Sequence, residues 1–221
     1  MSADGGTARA DLAGKTLVVL GASSPHGAAT VGALAGEGAN LALGGRSREE
    51  LEALARQAEA LGGRAIVVGT HLAKRHHPAH LVEAAVETFG RLDALLYMAS
   101  AGAPPLESLD VDSWERSLDV NLHGFVYCLA AALPALLDSG GGRVVVAGFR
   151  ETGGIPDPLL RASRAAVRTI LEEIPKEFSS RNIHTAEIRA EKGGPEESAK
   201  AVIRALEKPL RPEAGYSSYQ V

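Results

Sequence analysis

The segment that most constrains this chain is a strand-like run that ends on glycine and turns straight into a helix. Leu17-Val18-Val19-Leu20 is short, β-branched in its middle and bounded by Lys15 and Gly21, the pattern of a strand covered on both faces. Gly21-Ala22-Ser23-Ser24-Pro25-His26-Gly27 follows and leads into a small-residue helix from about Gly27 to Gly36. Gly21 allows the tight bend, and Gly27 allows close approach of helix to strand. The helix end then offers N–H groups to a pyrophosphate. Glycines also make plain turns after strands, so the rest of the chain has to decide between the two.

Apolar strand patterns and helical patterns alternate to the end of the chain. Strands are expected at Leu41–Leu43, Ala65–Val68, Ala94–Met98, Val144–Val146, Ile183–Ile188 and Ser217–Val221. Ser47 and Glu50 form a capping box ahead of a helix with Leu51, Leu54 and Ala58 on one face, stopped by Gly62. Pro78 starts a helix that Gly90 closes. Asp112 and Glu115 cap a long helix carrying a Trp114 expected to be buried. Asp157-Pro158 opens a helix running towards Phe178, with a kink expected at Pro175. A short helix spans Glu196 to Leu206. Such alternation implies right-handed crossovers and a parallel sheet covered on both faces. The expected fold class is α/β, a Rossmann-like doubly wound sheet of about seven strands with helices on both faces. Residues 14–221 read as a single domain, after a flexible tail over residues 1–13.

Composition removes several classes of function. A net charge of −4, with basic residues beside acidic ones as in Arg48-Glu49-Glu50, offers no footprint for nucleic acid or an anionic membrane. One cysteine, Cys128, excludes an internal disulfide and fits a reducing compartment. Met1 to Lys15 has no apolar stretch of signal-peptide type, and no apolar run approaches the roughly 20 residues of a membrane span. A cytoplasmic protein is expected.

Several linked stretches carry a family resemblance. They are Gly21-Ala-Ser-Ser, Gly45-Arg46-Ser47, Phe89-Gly90-Arg91-Leu92-Asp93, Trp114 with Leu118-Asp119-Val120-Asn121-Leu122-His123-Gly124, and Gly142-Arg143-Val144-Val145-Val146. In order and spacing the chain resembles the short-chain dehydrogenase/reductase family over roughly residues 14 to 221. The resemblance implies an oxidoreductase lineage and a crevice for NAD(P). Its lining would be Gly21, Ser23, Ser24, His26, Gly27, Arg46, His71, Leu72, Ser100, Ala101 and Gly102. Arg46 stands where an acidic residue would hold the ribose of NAD and an arginine the 2′-phosphate of NADP, so NADP is the expected cofactor. The resemblance also implies a homodimer or homotetramer through helices near 113–138 and 158–178.

The departures from the family pattern are as informative. Pro25 replaces the middle glycine of the turn and removes an N–H, so weakened binding is expected. His71-Leu72 replaces the family's Asp-Val, and Ala99-Ser100-Ala101-Gly102 replaces Asn-Asn-Ala-Gly. Carbonyl reduction of the family's kind needs a tyrosine acid with a lysine four residues on, and a serine that polarises the substrate. No Tyr-x-x-x-Lys exists in this chain; by register Leu160 and Arg164 stand at those positions, with Ser163 between them, and the serine position falls near Gly148-Phe149. Arg164 does not titrate near neutral pH and leucine donates no proton. Asn121 is retained as a relic of the relay, and no catalytic set is intact. After the sixth strand only Arg189-Ala190-Glu191-Lys192-Gly193-Gly194-Pro195 precede the next helix, too few for a substrate lid.

His76, His77, His80 and His71 form a cluster that reads as a solvated loop rather than a metal site, because no carboxylate or cysteine completes a ligand set. Cys128 is expected to pack in the core. Three readings stay open: an NADP-binding member without the usual carbonyl reductase activity, an active oxidoreductase using other groups such as His26, and an interaction protein with a vestigial crevice.

Overall fold

The computed structural model describes residues 12–102, 104–108, 110–149, 158–190, 193–207 and 215–221. Seven strands form one sheet in the order β3-β2-β1-β4-β5-β6-β7. The strands are β1 (Thr16–Leu20), β2 (Asn40–Gly45), β3 (Arg64–Gly69), β4 (Ala94–Tyr97), β5 (Gly142–Phe149), β6 (Ile183–Ala190) and β7 (Tyr216–Gln220). Every pairing is parallel. The helices are α1 (Pro25–Gly36), α2 (Arg48–Ala60), α3 (His77–Phe89), α4 (Val111–Leu118), α5 (Gly124–Asp138), α6 (Pro158–Glu177) and α7 (Pro195–Glu207). The expected doubly wound fold is present. Strand order reverses about β1, where Leu20 lies between Gly44 of β2 and Tyr97 of β4. A crevice for a ligand therefore opens beyond the carboxyl ends of β1 and β4.

The continuous apolar runs of the central strands follow from burial on both faces. Leu17 and Val19 point into a layer with Val31, Leu34, Leu51 and Val202 of the helices α1, α2 and α7. Val18 and Leu20 point the other way, towards Leu81, Phe125, Cys128 and Leu171 on α3, α5 and α6. Cys128 is a core residue, as expected, and burial pushes its thiol up to about 12, which leaves it inert as a nucleophile. Leu12 is already buried, at 6% exposure, so the ordered core reaches into the stretch expected as tail; residues 1–11 lie outside the described residues.

Local signals at helix ends mostly behave as their chemistry requires. Ser47 Oγ accepts from Glu50 N, and Gly62 and Gly90 take positive φ just beyond α2 and α3. The cap of α4 is Asp110 rather than Asp112: its carboxylate accepts from Ser113 N at 2.8 Å and Ser113 Oγ at 2.7 Å. Asp157 lies outside the described residues. Trp114 is not buried but 40% exposed, beside exposed Val111 on the same short helix. That helix precedes the sheet-covering segment and packs chiefly against α6. The run Val111–Asp138 is long and apolar enough, by length and composition alone, to cross a membrane, against the expectation that no run approaches this. Phe125, Cys128, Ala132 and Leu136 on it are core residues.

The Gly90-Arg91-Leu92-Asp93 stretch has a structural role. Asp93 takes two hydrogen bonds from Arg91, at 2.8 and 2.7 Å, one from Thr16 N at 3.0 Å, and an ion pair from Lys15 at 3.3 Å. It thereby ties the start of β1 to that of β4. Burial alone would raise this carboxyl; the bonds from Arg91 and Thr16 N–H, with the Lys15 charge, outweigh it and hold it below the usual carboxylate range. A lowered folded value means stability that is present above the unfolded carboxylate range and lost as pH falls through the folded value. Asp93→Asn should therefore cost about 1–2 kcal/mol at neutral pH. Urea titrations at several pH values should show the gap closing in acid.

Candidate functional site

The turn after β1 is built so that only glycine fits at its two ends. Gly21 has φ +83°, and a Cβ there would lie 2.5 Å from Ala99 N. A Cβ on Gly27 would overlap Gly21 O and stand 2.7 Å from Ala22 O. Ser24 caps α1: its Oγ accepts from Gly27 N at 3.0 Å and donates to Gly21 O at 3.2 Å. Pro25 is the first helical residue, where the missing N–H is one that no helix bond would use. The proline is thus compatible with the helix start, while still subtracting one donor from the turn. Ser23 is exposed beside it.

The turn after β4 lies against this first one, through Ala99 beside Gly21. Asn121 grips it from the helical side. Ala101 N donates to Asn121 Oδ1 at 2.9 Å, and Asn121 Nδ2 donates to Ala101 O at 2.6 Å and to Ser117 Oγ at 2.9 Å. Asn121 sits in a π-helical turn, Asp119–His123, between α4 and α5 and is 6% exposed. The extra residue in that turn aims an amide inward where a regular helix would carry it past. Asn121 is therefore a clamp on the loop at Ala101. Tyr97 OH donates to Val120 O across the same junction, and burial holds that phenol well above its ordinary range.

The remaining predicted residues fall around the same end of the sheet. Arg46 follows β2 and is exposed, whereas Arg48 is held by Glu52 at 2.7 Å. His71 follows β3, its N–H donating to His77 Nδ1 at 3.2 Å. Leu72 packs beside Gly124, where a Cβ would come within 2.9 Å of Leu72 Cβ and 2.7 Å of Tyr97 OH. Leu160 lies in the first turn of α6, and Arg164, one turn on, lays its guanidinium over β5. A Cβ on Gly148 would be 3.0 Å from Arg164 Cζ, so the arginine occupies space that a side chain at 148 would claim. Among the described residues no group of three or more His, Cys, Asp or Glu is placed to hold a metal.

Sequence reasoning missed one buried charge cluster. Glu187 of β6, 6% exposed, accepts from Arg168 Nε at 2.8 Å and Nη2 at 3.2 Å and from Tyr216 OH at 3.2 Å, with Arg189 Nε 3.8 Å away. A glutamate breaking an apolar strand was the available signal. A cavity of about 430 Å³ also opens at the amino ends of the strands, lined by Lys15, Arg91, Asp93, Arg143 and His184 among others. Open parallel sheets bind ligands at their carboxyl ends, so the paired turns, not this basal cavity, form the candidate site.

Comparison with known proteins identifies the family. The short chain dehydrogenase family profile matches residues 15–191. The chain belongs to the short-chain dehydrogenase family. It is 35% identical over 181 residues to an uncharacterized oxidoreductase of Listeria innocua, covering 79% of this chain and 72% of the relative. An uncharacterized oxidoreductase of Staphylococcus aureus is 30% identical over 219 residues, covering 90% and 93%. Among solved structures, an NADH-dependent reductase complexed with NAD superposes with a TM-score of 0.83 at 25% identity, covering 96% of both chains. A metagenomic short-chain oxidoreductase in complex with NADP, at 24% identity and TM-score 0.84, covers 96% of this short-chain dehydrogenase and 97% of its own chain and shares the fold.

Proposed function

We propose that this short-chain dehydrogenase binds NADP in the crevice between the β1 and β4 turns and does not perform the family's tyrosine–lysine carbonyl reduction. The observation that carries the reading is the occupant of the catalytic position. Leu160 offers no proton, and Arg164 lies over Gly148 with a group that stays charged at neutral pH. Gly21, Ser23, Ser24, His26 and Gly27 line the phosphate end of the crevice. Ser100, Ala101 and Gly102 form its opposite wall, and His71 and Leu72 flank the adenine end. Exposed Arg46 serves the 2′-phosphate. Helices α4, α5 and α6 carry the subunit contacts of a homodimer or homotetramer, to which exposed Val111, Trp114 and Val126 contribute apolar area. The protein works in the cytoplasm, without nucleic acid or membrane partners, as a dinucleotide-responsive binding subunit.

Calorimetric titration with NADP⁺ and NAD⁺ tests the cofactor half of this reading. NADP⁺ should bind more tightly, and Arg46→Ala should weaken NADP⁺ by about tenfold through loss of one charge-assisted contact, leaving NAD⁺ unaffected. Equal affinities, unmoved by the substitution, would refute the preference. The catalytic half is tested by a carbonyl panel with NADPH. Turnover abolished by changing a named crevice residue would overturn it.

A further inference from the structure

The connection from β3 to α3 folds back on itself, and a side chain closes the fold. Lys74 N donates to His71 O at 2.9 Å and His77 N to Lys74 O at 3.0 Å, two turns in succession. His71 N then donates to His77 Nδ1 at 3.2 Å, joining the start of the connection to the first residue of α3. Leu72 lies within the segment so closed and packs beside Gly124, where a Cβ would come within 2.9 Å of Leu72 Cβ.

The third bond differs in kind from the other two. A backbone N–H can only donate, so Nδ1 is the lone-pair nitrogen, and the ring is neutral with its proton on Nε2. An imidazolium carries a proton on both nitrogens and accepts nothing. Protonation therefore removes this bond outright and sets two N–H groups against each other. We propose that His77 is a proton-released latch: its neutral ring holds the β3–α3 connection closed around Leu72, and its protonation opens it. The connection flanks the adenine end of the crevice, a consequence that rests on the dinucleotide reading above. His77 is then a positioning residue that couples pH to occupancy of that end.

The surroundings bias the ring towards its neutral form. It begins α3, where the helix dipole disfavours a cation. Partial desolvation, then the charges of His76, His71, His80 and Lys74, hold its pKa below the ordinary 6.5. The nearby carboxylates have other partners: Glu83 Oε2 lies 3.5 Å from His80 Nδ1, and Asp119 Oδ1 lies 3.0 Å from His123 Nδ1. Of the elements packed against α3, β1 and β2 carry no titratable side chain, and Arg64 of β3 lies over the Phe89 ring at the far end of the helix. On α5, Cys128 is buried, Tyr127 stacks near His123, and Asp138 ends the helix. None of these, nor Arg75 or Glu87, contributes resolvably to the His77 shift. A lowered folded value gives stability that is fully present above the ordinary histidine value and lost as pH falls through the folded one. The latch is therefore closed at neutral pH and opens in mild acid.

NMR of the full chain labelled with nitrogen-15 tests the latch directly. A coupling across the hydrogen bond between His71 N and His77 Nδ1 should be present at pH 8 and absent at pH 5, and the Leu72 methyl resonances should move with the His77 midpoint. His77→Gln keeps an acceptor that does not titrate, so most of that movement should disappear; His77→Leu has no acceptor and should resemble the acid form at both pH values. Adenosine is the probe for the crevice, because it has no phosphate for nearby cationic side chains to attract. Wild-type protein should bind it about threefold more weakly at pH 5 than at pH 8, and His77→Gln equally at both. A neutral His77 ring protonated on Nδ1, or Leu72 resonances that move alike in wild type and His77→Gln, overturns the latch. A latch that opens while adenosine affinity stays flat with pH overturns its coupling to the crevice. No adenosine binding at either pH, with the latch present in the spectra, overturns the dinucleotide reading instead.

Discussion

Gly27→Ala is expected to cost about 3 kcal/mol or more of stability, and to abolish dinucleotide binding in whatever fraction stays folded. The added Cβ would overlap Gly21 O and crowd Ala22 O, backbone atoms just beyond a strand buried along its whole length. A flexible side chain could swing aside, but these atoms cannot, because β1 is paired on both edges. Relief would have to come from α1 moving outward. That motion breaks the Gly27 N to Ser24 Oγ cap and separates α1 from the layer it shares with β1. Denaturant unfolding followed by far-ultraviolet circular dichroism measures the loss. A Gly27→Ala protein as stable as the wild type would show that the helix is free to shift. Gly32→Ala serves as the internal control: its Cβ would meet only Leu61 Cδ1, at an ordinary 3.7 Å, and alanine is the better helix former.

The second large effect is expected at Asn121. Asn121→Ala leaves Ala101 N–H without its acceptor and removes the 2.6 Å bond to Ala101 O, at a cost of about 2 kcal/mol. Ser117 Oγ still reaches Ala101 O at 3.3 Å, so the carbonyl keeps a partner while the amide does not. Aspartate should not rescue. It supplies the acceptor for Ala101 N–H but turns a second oxygen towards Ala101 O and Ser117. The β4 turn forms one wall of the proposed crevice, so NADP⁺ affinity should fall with stability in both variants. Thermal unfolding with and without NADP⁺ reads the two together: a variant that loses stability yet keeps the full cofactor-induced shift would separate the clamp from the crevice.

The elements read most securely from the amino-acid sequence were those whose cause is local. The seven strands and the helices between them follow from apolar runs, glycine stops and caps at Ser47 and Gly90, and each signal acts within a turn or so of its own residue. Misreadings occurred where two near-equivalent local choices compete or where packing decides. Asp110 and Asp112 both offer a carboxylate near the start of the same helix, and the cap falls on Asp110, which has the extended backbone of a capping residue. Trp114 has the composition of a core residue, yet lies 40% exposed on a short helix that packs chiefly against α6.

The candidate site divides in the same way. The glycine turn, Arg46, and the absence of a tyrosine–lysine pair belong to the sequence alone: they depend on residue type and spacing, and no folding is needed to see that leucine cannot donate a proton. The contacts of Asn121, Arg164 and His26 were decided by tertiary structure. Asn121 clamps Ala101 because a π-helical turn re-aims its amide, and Arg164 covers β5 because Gly148 leaves room. His26 meets Ser198 across 172 positions of chain, because a short connection after β6 sets α7 against α1. Contacts over such separations carry no local periodicity or motif. They arise only when the parallel sheet brings its strand ends to one edge, and that convergence turned a glycine-bounded turn into a candidate binding site.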